Sequence, residues 1–136
     1  MTDINAAISA AASGMRAQTV RMRIAAENVA NANSSGTSPN EDPFRRRIPL
    51  LESTTLTSGA RGVEVEGTVL DMTAFREEYN PSHPAADDRG YVRLPNVDTL
   101  VEMMDMREAT RAYEANLNMI EAARTMTTRA LDLLRR

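Results

Sequence analysis

The sequence predicts a mainly α fold: long N- and C-terminal helices pairing as a coiled-coil-like hairpin, with a small irregular or β insert between them. Two observations carry this. All six prolines lie between Pro39 and Pro95, and five of the six glycines lie between Gly36 and Gly90, so both ends are free of chain breakers apart from Gly14. Both ends also repeat their apolar residues every seven positions, as helices that pack along a seam do. The expected divisions are a helix over residues 1–32, an insert over 33–97 and a second helix over 98–136.

In the N-terminal segment Ile8, Met15, Met22 and Val29 share one heptad position, and Ile4, Ala11, Gln18, Ala25 and Ala32 share the other. A helix from about Thr2 to Ala32 would be about 45 Å long. A second, weaker strip runs through Ala17, Val20 and Ile24, and Arg16, Arg21 and Arg23 mark a solvated or ion-pairing face. A plain core helix explains one strip, not two, so this reading gives the helix more than one helical neighbour.

The insert reads as loop and short strands. Asn33 to Asp42 is a polar, turn-rich linker. The stretch GVEVEGTVL (62–70) alternates as a half-buried strand does. FRRRIPLLE (44–52) is extended, because Pro49 disfavours helix at Ile48. GYVRLP (90–95) is a third extended candidate. A small β-hairpin unit and a largely disordered insert both remain open on this pattern.

The C-terminal helix opens on Thr99 and Glu102, which have capping-box spacing, with Asp98 just before them. Its seam runs Met106, Tyr113, Ile120, Thr127 and Leu134, with Ala109, Asn116, Ala123 and Ala130 between. Met103, Leu117 and Leu131 flank the seam on one side, and Ala112, Met119, Met126 and Leu133 on the other. Such a face is wider than one partner helix covers. Asn116 either fixes the register of the seam or is partly exposed.

Composition points the same way. The apolar residues are mostly small alanines and there is no Trp, so each helix contact buries little area and a lone subunit is weakly stabilised. With both seams lacking partners, the terminal helices of a free subunit are expected to be loosely ordered. A net charge of −3 lacks the footprint of a nucleic-acid binder. Without Cys there is no disulfide, thiolate catalysis or Cys-based metal site. No apolar run is long enough to span a membrane, so no direct membrane insertion is expected, and the first residues do not read as a cleavable signal.

Catalytic chemistry finds no support. His83, the only histidine, sits between prolines and reads as a solvated or hydrogen-bonded loop residue. The adjacent pairs Glu77–Glu78 and Asp87–Asp88 are not arranged as catalytic dyads. The Arg45–Arg46–Arg47 run reads as an ion-pairing strand face. No catalytic residue, cofactor or metal is expected, which leaves an assembling subunit or a generic helical adaptor.

Three stretches resemble one family. ENVANANSSGT (27–37) resembles the Asn-rich motif that closes the N-terminal helix of flagellar axial proteins, and DPFRRRIP (42–49) follows it as in the short rod subunits. The tract from Tyr79 to Ile120 is similar to the C-terminal signature of proximal-rod subunits in that family. The tract SSGTSPNED (34–42) departs from the pattern, since relatives vary there in length. The resemblance matches Asn28, Asn31 and Asn33 to the helix-closing motif, Pro95, Asn96 and Val97 to the entry of the last helix, and Met103, Arg111, Tyr113 and Asn116 to that helix's own motif. It implies a structural subunit whose terminal helices pack into concentric tubes. The implied partners are copies of itself, other rod proteins, the proteins of the MS-ring junction and export gate, and the flagellar type III export apparatus. The implied location is the basal-body rod in the periplasmic space, reached without a cleaved signal. The expected assembly residues are Ile8, Met15, Met22, Asn28, Val29, Asn31, Asn33, Met103, Met106, Tyr113, Asn116, Ile120, Leu131 and Leu134.

Overall fold

The computed structural model describes residues 2–136. Helix α1 (Thr2–Ala30) and helix α2 (Thr99–Leu134) form an antiparallel helical hairpin, and two small β-hairpins separate them in sequence. Strands β1 (Arg47–Thr55) and β2 (Arg61–Leu70) make one antiparallel ribbon; β3 (Arg76–Tyr79) and β4 (Tyr91–Leu94) make the other. The insert is therefore ordered hairpins, which decides between the two expectations for it.

The helices pack against each other over the length of α1. On α2, Ala109 and Ala123 are buried, and Met106, Tyr113, Asn116, Ile120 and Thr127 are half-buried. On α1, Ala11 and Ala25 are buried, and Ile8, Met15, Met22 and Val29 are half-buried beside them. Alanines at the centre let the backbones approach closely. Gly14, the one glycine outside the insert, lies under Asn116: an added Cβ would stand 2.7 Å from its side-chain nitrogen. A mid-helix glycine costs about 1 kcal/mol against alanine, and here it makes room for a seam amide.

Several features differ from the sequence reading. The second α1 strip needs no second helix, because β2 covers it. Ser13 Oγ accepts the Val63 N–H at 3.1 Å and donates to the Ala10 carbonyl, while Ala17 and Ile24 are buried. Gly62 permits the approach, since a Cβ there would lie 2.6 Å from Ser13 Oγ. Strand β3 was not foreseen. Its four residues, REEY, are exposed and carry no alternation; it pairs only because β4 lies beside it. The capping-box reading of Thr99 and Glu102 is corrected as well. Asp98 is the N-cap, accepting the Leu100 N–H at 3.0 Å, and Glu102 is engaged elsewhere. Helix α1 closes near the expected place: Asn31 Nδ2 donates to the Glu27 carbonyl at 2.9 Å, satisfying a terminal acceptor.

Proline in β1 is tolerated because a two-stranded ribbon consists only of edges. The register shifts between Leu50 and Leu51, which pair with Gly67 and Val65, leaving Glu66 as the extra residue of a bulge. The loop between β3 and β4 turns on Asp87, whose Oδ1 accepts the N–H groups of Arg89 and Tyr91, both at 2.9 Å. Gly90, at φ 85°, lets the chain pass close to Tyr79, which meets Tyr91 edge-on at 5.4 Å. His83 is hydrogen-bonded in this loop: Nδ1 accepts the Ala85 N–H and Nε2 lies 3.2 Å from Ser35 Oγ.

Two predictions follow from these packings. Gly62→Val forces a side chain against Ser13 and Leu56. It should cost about 1–3 kcal/mol in urea unfolding and speed amide exchange at Val63 while both helices persist; an unchanged Val63 rate would contradict the docking. The second concerns acid. The Tyr91 N–H holds the Asp87 carboxyl below its ordinary value of 3.8; desolvation opposes it, and the N–H, guanidinium hydrogen bond and charge of Arg89 add to it. A depressed carboxylate stabilises the fold above its ordinary value, and that contribution is lost as pH falls through the native value. The tyrosine near-UV signal of the β3–β4 hairpin should hold from neutrality to about pH 4 and decline below it. A decline that is complete by pH 5 would contradict this.

Candidate assembly interface

The functional geometry has two parts: a polar junction that fixes the subunit's shape, and the apolar surface that this shape leaves uncovered. The junction forms where α1 ends, β1 begins and α2 starts. Asn28 acts as a strand partner to Arg47, accepting its N–H at 3.0 Å and donating to its carbonyl at 2.9 Å. The same amide nitrogen donates to Glu102 Oε2 at 3.2 Å. Glu102 is 2% exposed, and its other oxygen takes the Arg46 Nε–H. Arg46 also reaches Asp71 and Asp105, each at 3.4 Å. Its backbone N–H donates to Asn96 Oδ1, and the Asn96 amide ties down Asp71 and Thr73.

Charge in this junction is matched. Burial disfavours the Arg46 guanidinium charge, but the hydrogen bond and charge of Glu102, then those of Asp71, raise its pKa above the ordinary value. The Asp71 carboxyl is held below its ordinary range first by the Thr73 N–H, then by the Thr73 hydroxyl and Arg46. Among the described residues, no buried side-chain nitrogen or oxygen lacks a hydrogen-bond partner. Of the three consecutive arginines, Arg46 is the inward one. Arg45 stacks on Phe75, and Arg47 lies toward Phe44 and Glu27.

Large apolar residues are exposed on the insert, at Leu70, Met72 and Tyr79 among others, and along α2. Val101, Met104, Met119, Met126 and Leu133 are exposed along one flank of the seam, and Met103 and Leu117 on the other. The helices differ in length, 29 against 36 residues. The contacts Asn28–Glu102, Arg21–Glu108 and Gly14–Asn116 set the antiparallel register. That register places Thr2 opposite about residue 128, so the last turns of α2 overhang. Leu134, expected in the seam, and Leu131, expected on its flank, are therefore exposed, Leu134 to 83%. The chain exposes 9290 Å², against about 7,000 Å² for a compact monomer of this mass.

The expected assembly residues thus separate. Met103, Leu131 and Leu134 stand on the open surface, and Asn33 is exposed at the turn. Ile8, Met15, Met22, Val29, Asn31, Met106, Tyr113, Asn116 and Ile120 are half-buried. Asn28 is consumed inside the subunit. Sequence reasoning passed over Glu102 as an internal partner. Its one signal was an acidic residue at a seam position, four before Met106.

Among the described residues there is no cluster of metal-ligating side chains, and no helix is long and apolar enough to cross a membrane. Residues 88–133 match the family model described as flagellar basal body rod FlgEFG protein C-terminal, which sets the class. Full-length likenesses narrow it. The chain is 43% identical to the flagellar basal-body rod protein FlgC of Agrobacterium fabrum over 136 residues, covering 99% of this chain and 98% of that protein. It is 38% identical to FlgC of Aquifex aeolicus over 133 residues (97% and 98%), and 33% identical to FlgC of Bacillus subtilis over 142 (93% and 95%). The chain belongs to the FlgC family of flagellar basal-body rod proteins. It is a structural subunit of the rod and not an enzyme.

Arg46→Ala tests the junction. It leaves Glu102 buried without its cation, and should cost about 3 kcal/mol, the low end for a broken buried pair because Arg46 retains some contact with water. Urea unfolding that shifts by less than about 1 kcal/mol would show that Glu102 is compensated elsewhere.

Proposed function

We propose that this subunit builds the rod through the outer face of α2, with α1 and α2 pairing as a coiled-coil-like hairpin whose seam is satisfied internally. The observation that carries the reading is the exposed apolar strip of Val101, Met104, Met119, Met126 and Leu133. It falls in two groups, Val101 and Met104 near the start of α2 and Met119, Met126 and Leu133 in its second half, with Glu108 and Arg111 between, while the folded insert covers one strip of α1. Contiguous apolar surface on a soluble chain marks interaction sites. Contacts between unlike patches that do not close generate helical assemblies, the geometry an axial rod requires.

The partners in this reading are copies of the chain and other rod proteins around one axis, with the MS-ring junction and the export gate at its base. Family membership supports delivery by the flagellar export apparatus to a rod that crosses the periplasmic space. Met103, Leu131 and Leu134 are the assembly residues best placed for direct contact. The half-buried Ile8, Met15, Met22 and Val29 on α1, and Met106, Tyr113, Asn116 and Ile120 on α2, line the groove edges that a neighbouring helix would close. Asn31 and Asn33 shape the turn at the end of the hairpin, and Asn28 acts from within. Nucleic acid and membrane insertion have no place in it.

Replacing Met104, Met119 and Met126 together by Glu tests this. All three are exposed, so each should change the stability of the free subunit by about 0.5 kcal/mol or less. Cells carrying only the variant should lose swimming and lack complete rods in isolated basal bodies. Motile cells with intact rods would refute the outer face as the assembly surface.

A further inference from the structure

The chain has nine methionines and no cysteine, so no thiol competes for a peroxide and the thioethers are its sites of oxidation. Their placement is uneven. Met104, Met119 and Met126 are 62, 55 and 59% exposed along one flank of α2. Met72 is exposed on the insert. Met15, Met22 and Met106 are half-buried on the two helices where they pack together. The sulfurs that a peroxide reaches most easily in the free subunit are therefore not those that hold the helical hairpin together.

We propose that Met104, Met119 and Met126 form an oxidation site: hydrogen peroxide converts them to sulfoxides in the free subunit, and the oxidised subunit keeps its fold but does not enter the rod. The thioether sulfur attacks one peroxide oxygen. The O–O bond breaks, an S–O bond forms, and the departing hydroxide takes the remaining proton and leaves as water. Each thioether is oxidised by two electrons, which reduce the peroxide. The product replaces an apolar tip by a strong dipole whose oxygen accepts hydrogen bonds. On an open flank water satisfies that oxygen, whereas an apolar neighbour pressed against it does not. The reaction is confined to the interval before assembly, because a flank covered by a neighbour excludes peroxide. Reversal needs a dithiol reductase from outside, since the chain carries no thiol: two thiols become a disulfide and the sulfoxide oxygen leaves as water. The inference rests on the rod-building role proposed above for this flank and adds its control by oxidation.

The purified full chain is treated with limiting hydrogen peroxide and its methionine peptides are weighed. Sulfoxide should form at Met104, Met119 and Met126 about 10-fold faster than at Met15, Met22 and Met106, with the helical circular-dichroism signal unchanged. Equal rates at the two sets, or loss of the helical signal in step with oxidation, would overturn the inference. In cells lacking the native chain, the wild-type and Met104→Leu/Met119→Leu/Met126→Leu chains are induced with and without a sublethal peroxide pulse. Each is scored against its own unexposed culture. The pulse should reduce wild-type rods per cell about 5-fold and those of the leucine chain less than about 2-fold. Met72→Leu removes an exposed thioether from the insert and should leave the chain as sensitive as wild type. An equal fall in the wild-type and leucine chains, or protection by Met72→Leu, would overturn the inference. If the leucine chain builds no rods even when unexposed, the wild-type rods decide. After the pulse the free pool should carry sulfoxide at the three flank positions and the rods should not, whereas equal content in both would overturn the inference. Absence of the wild-type chain from unexposed basal bodies would instead sink the rod reading.

Discussion

The shape of the subunit depends on one buried charge. Glu102 sits at the first turn of α2 with almost no access to water, a position that is costly unless the carboxylate is paired and hydrogen-bonded. Arg46 and Asn28 supply the partners, and each comes from a different segment. Satisfying one carboxylate therefore brings together the end of α1, the entry to β1 and the beginning of α2. Asn28 extends the tie by pairing with both backbone groups of Arg47, which starts the ribbon along α1. The buried pair adds less to stability than to geometry, since its attraction is offset by desolvation. What it determines is register.

From that register the rest of the surface follows. With Asn28 opposite Glu102, the alanine seam meets over the length of α1, and α2 runs on past Thr2. The ribbon set by Arg47 lies on the second strip of α1 and takes it out of play, with Ser13 and Gly62 at the contact. The flanks of α2 and its overhang remain apolar and open, as do Leu70, Met72 and Tyr79 on the insert. A one-turn slip of the hairpin would move every exposed methionine about 5 Å relative to the ribbon, so a rod built of such subunits depends on the junction even where the junction touches no neighbour.

Much of this was legible in the sequence, and the failures have physical causes. The placement of Pro and Gly showed that both ends are helical, and heptad spacing picked out Ala109, Asn116 and Ala123 on the face of α2 toward α1. Three of the four strands were visible: β2 from alternation, β1 from proline's constraint on its neighbour, and β4 as an extended segment. Strand β3 was not, because an exposed REEY owes its pairing to β4 alone. The second α1 strip was legible as a strip, but periodicity does not say whether a helix or a sheet will cover it. Glu102 was misread because a local rule, capping-box spacing, fitted a residue whose partners lie 56 and 74 positions away in sequence. The overhang was hidden as well: it follows from the unequal lengths of α1 and α2 together with the register, not from either helix alone.

The central claim is that the face of α2 toward α1 is satisfied within the subunit while the outer face of α2 is held for neighbours. Methionine oxidation by hydroxyl radicals tests it directly, because the described methionines lie on both kinds of surface: Met15, Met22 and Met106 half-buried in the seam, Met104, Met119 and Met126 exposed. In the free subunit Met104, Met119 and Met126 should oxidise fast and the half-buried seam residues Met15, Met22 and Met106 slowly. In isolated basal bodies Met104, Met119 and Met126 should become protected. If they stay as reactive in the rod as in the free subunit, the outer face of α2 is not where this chain meets its neighbours.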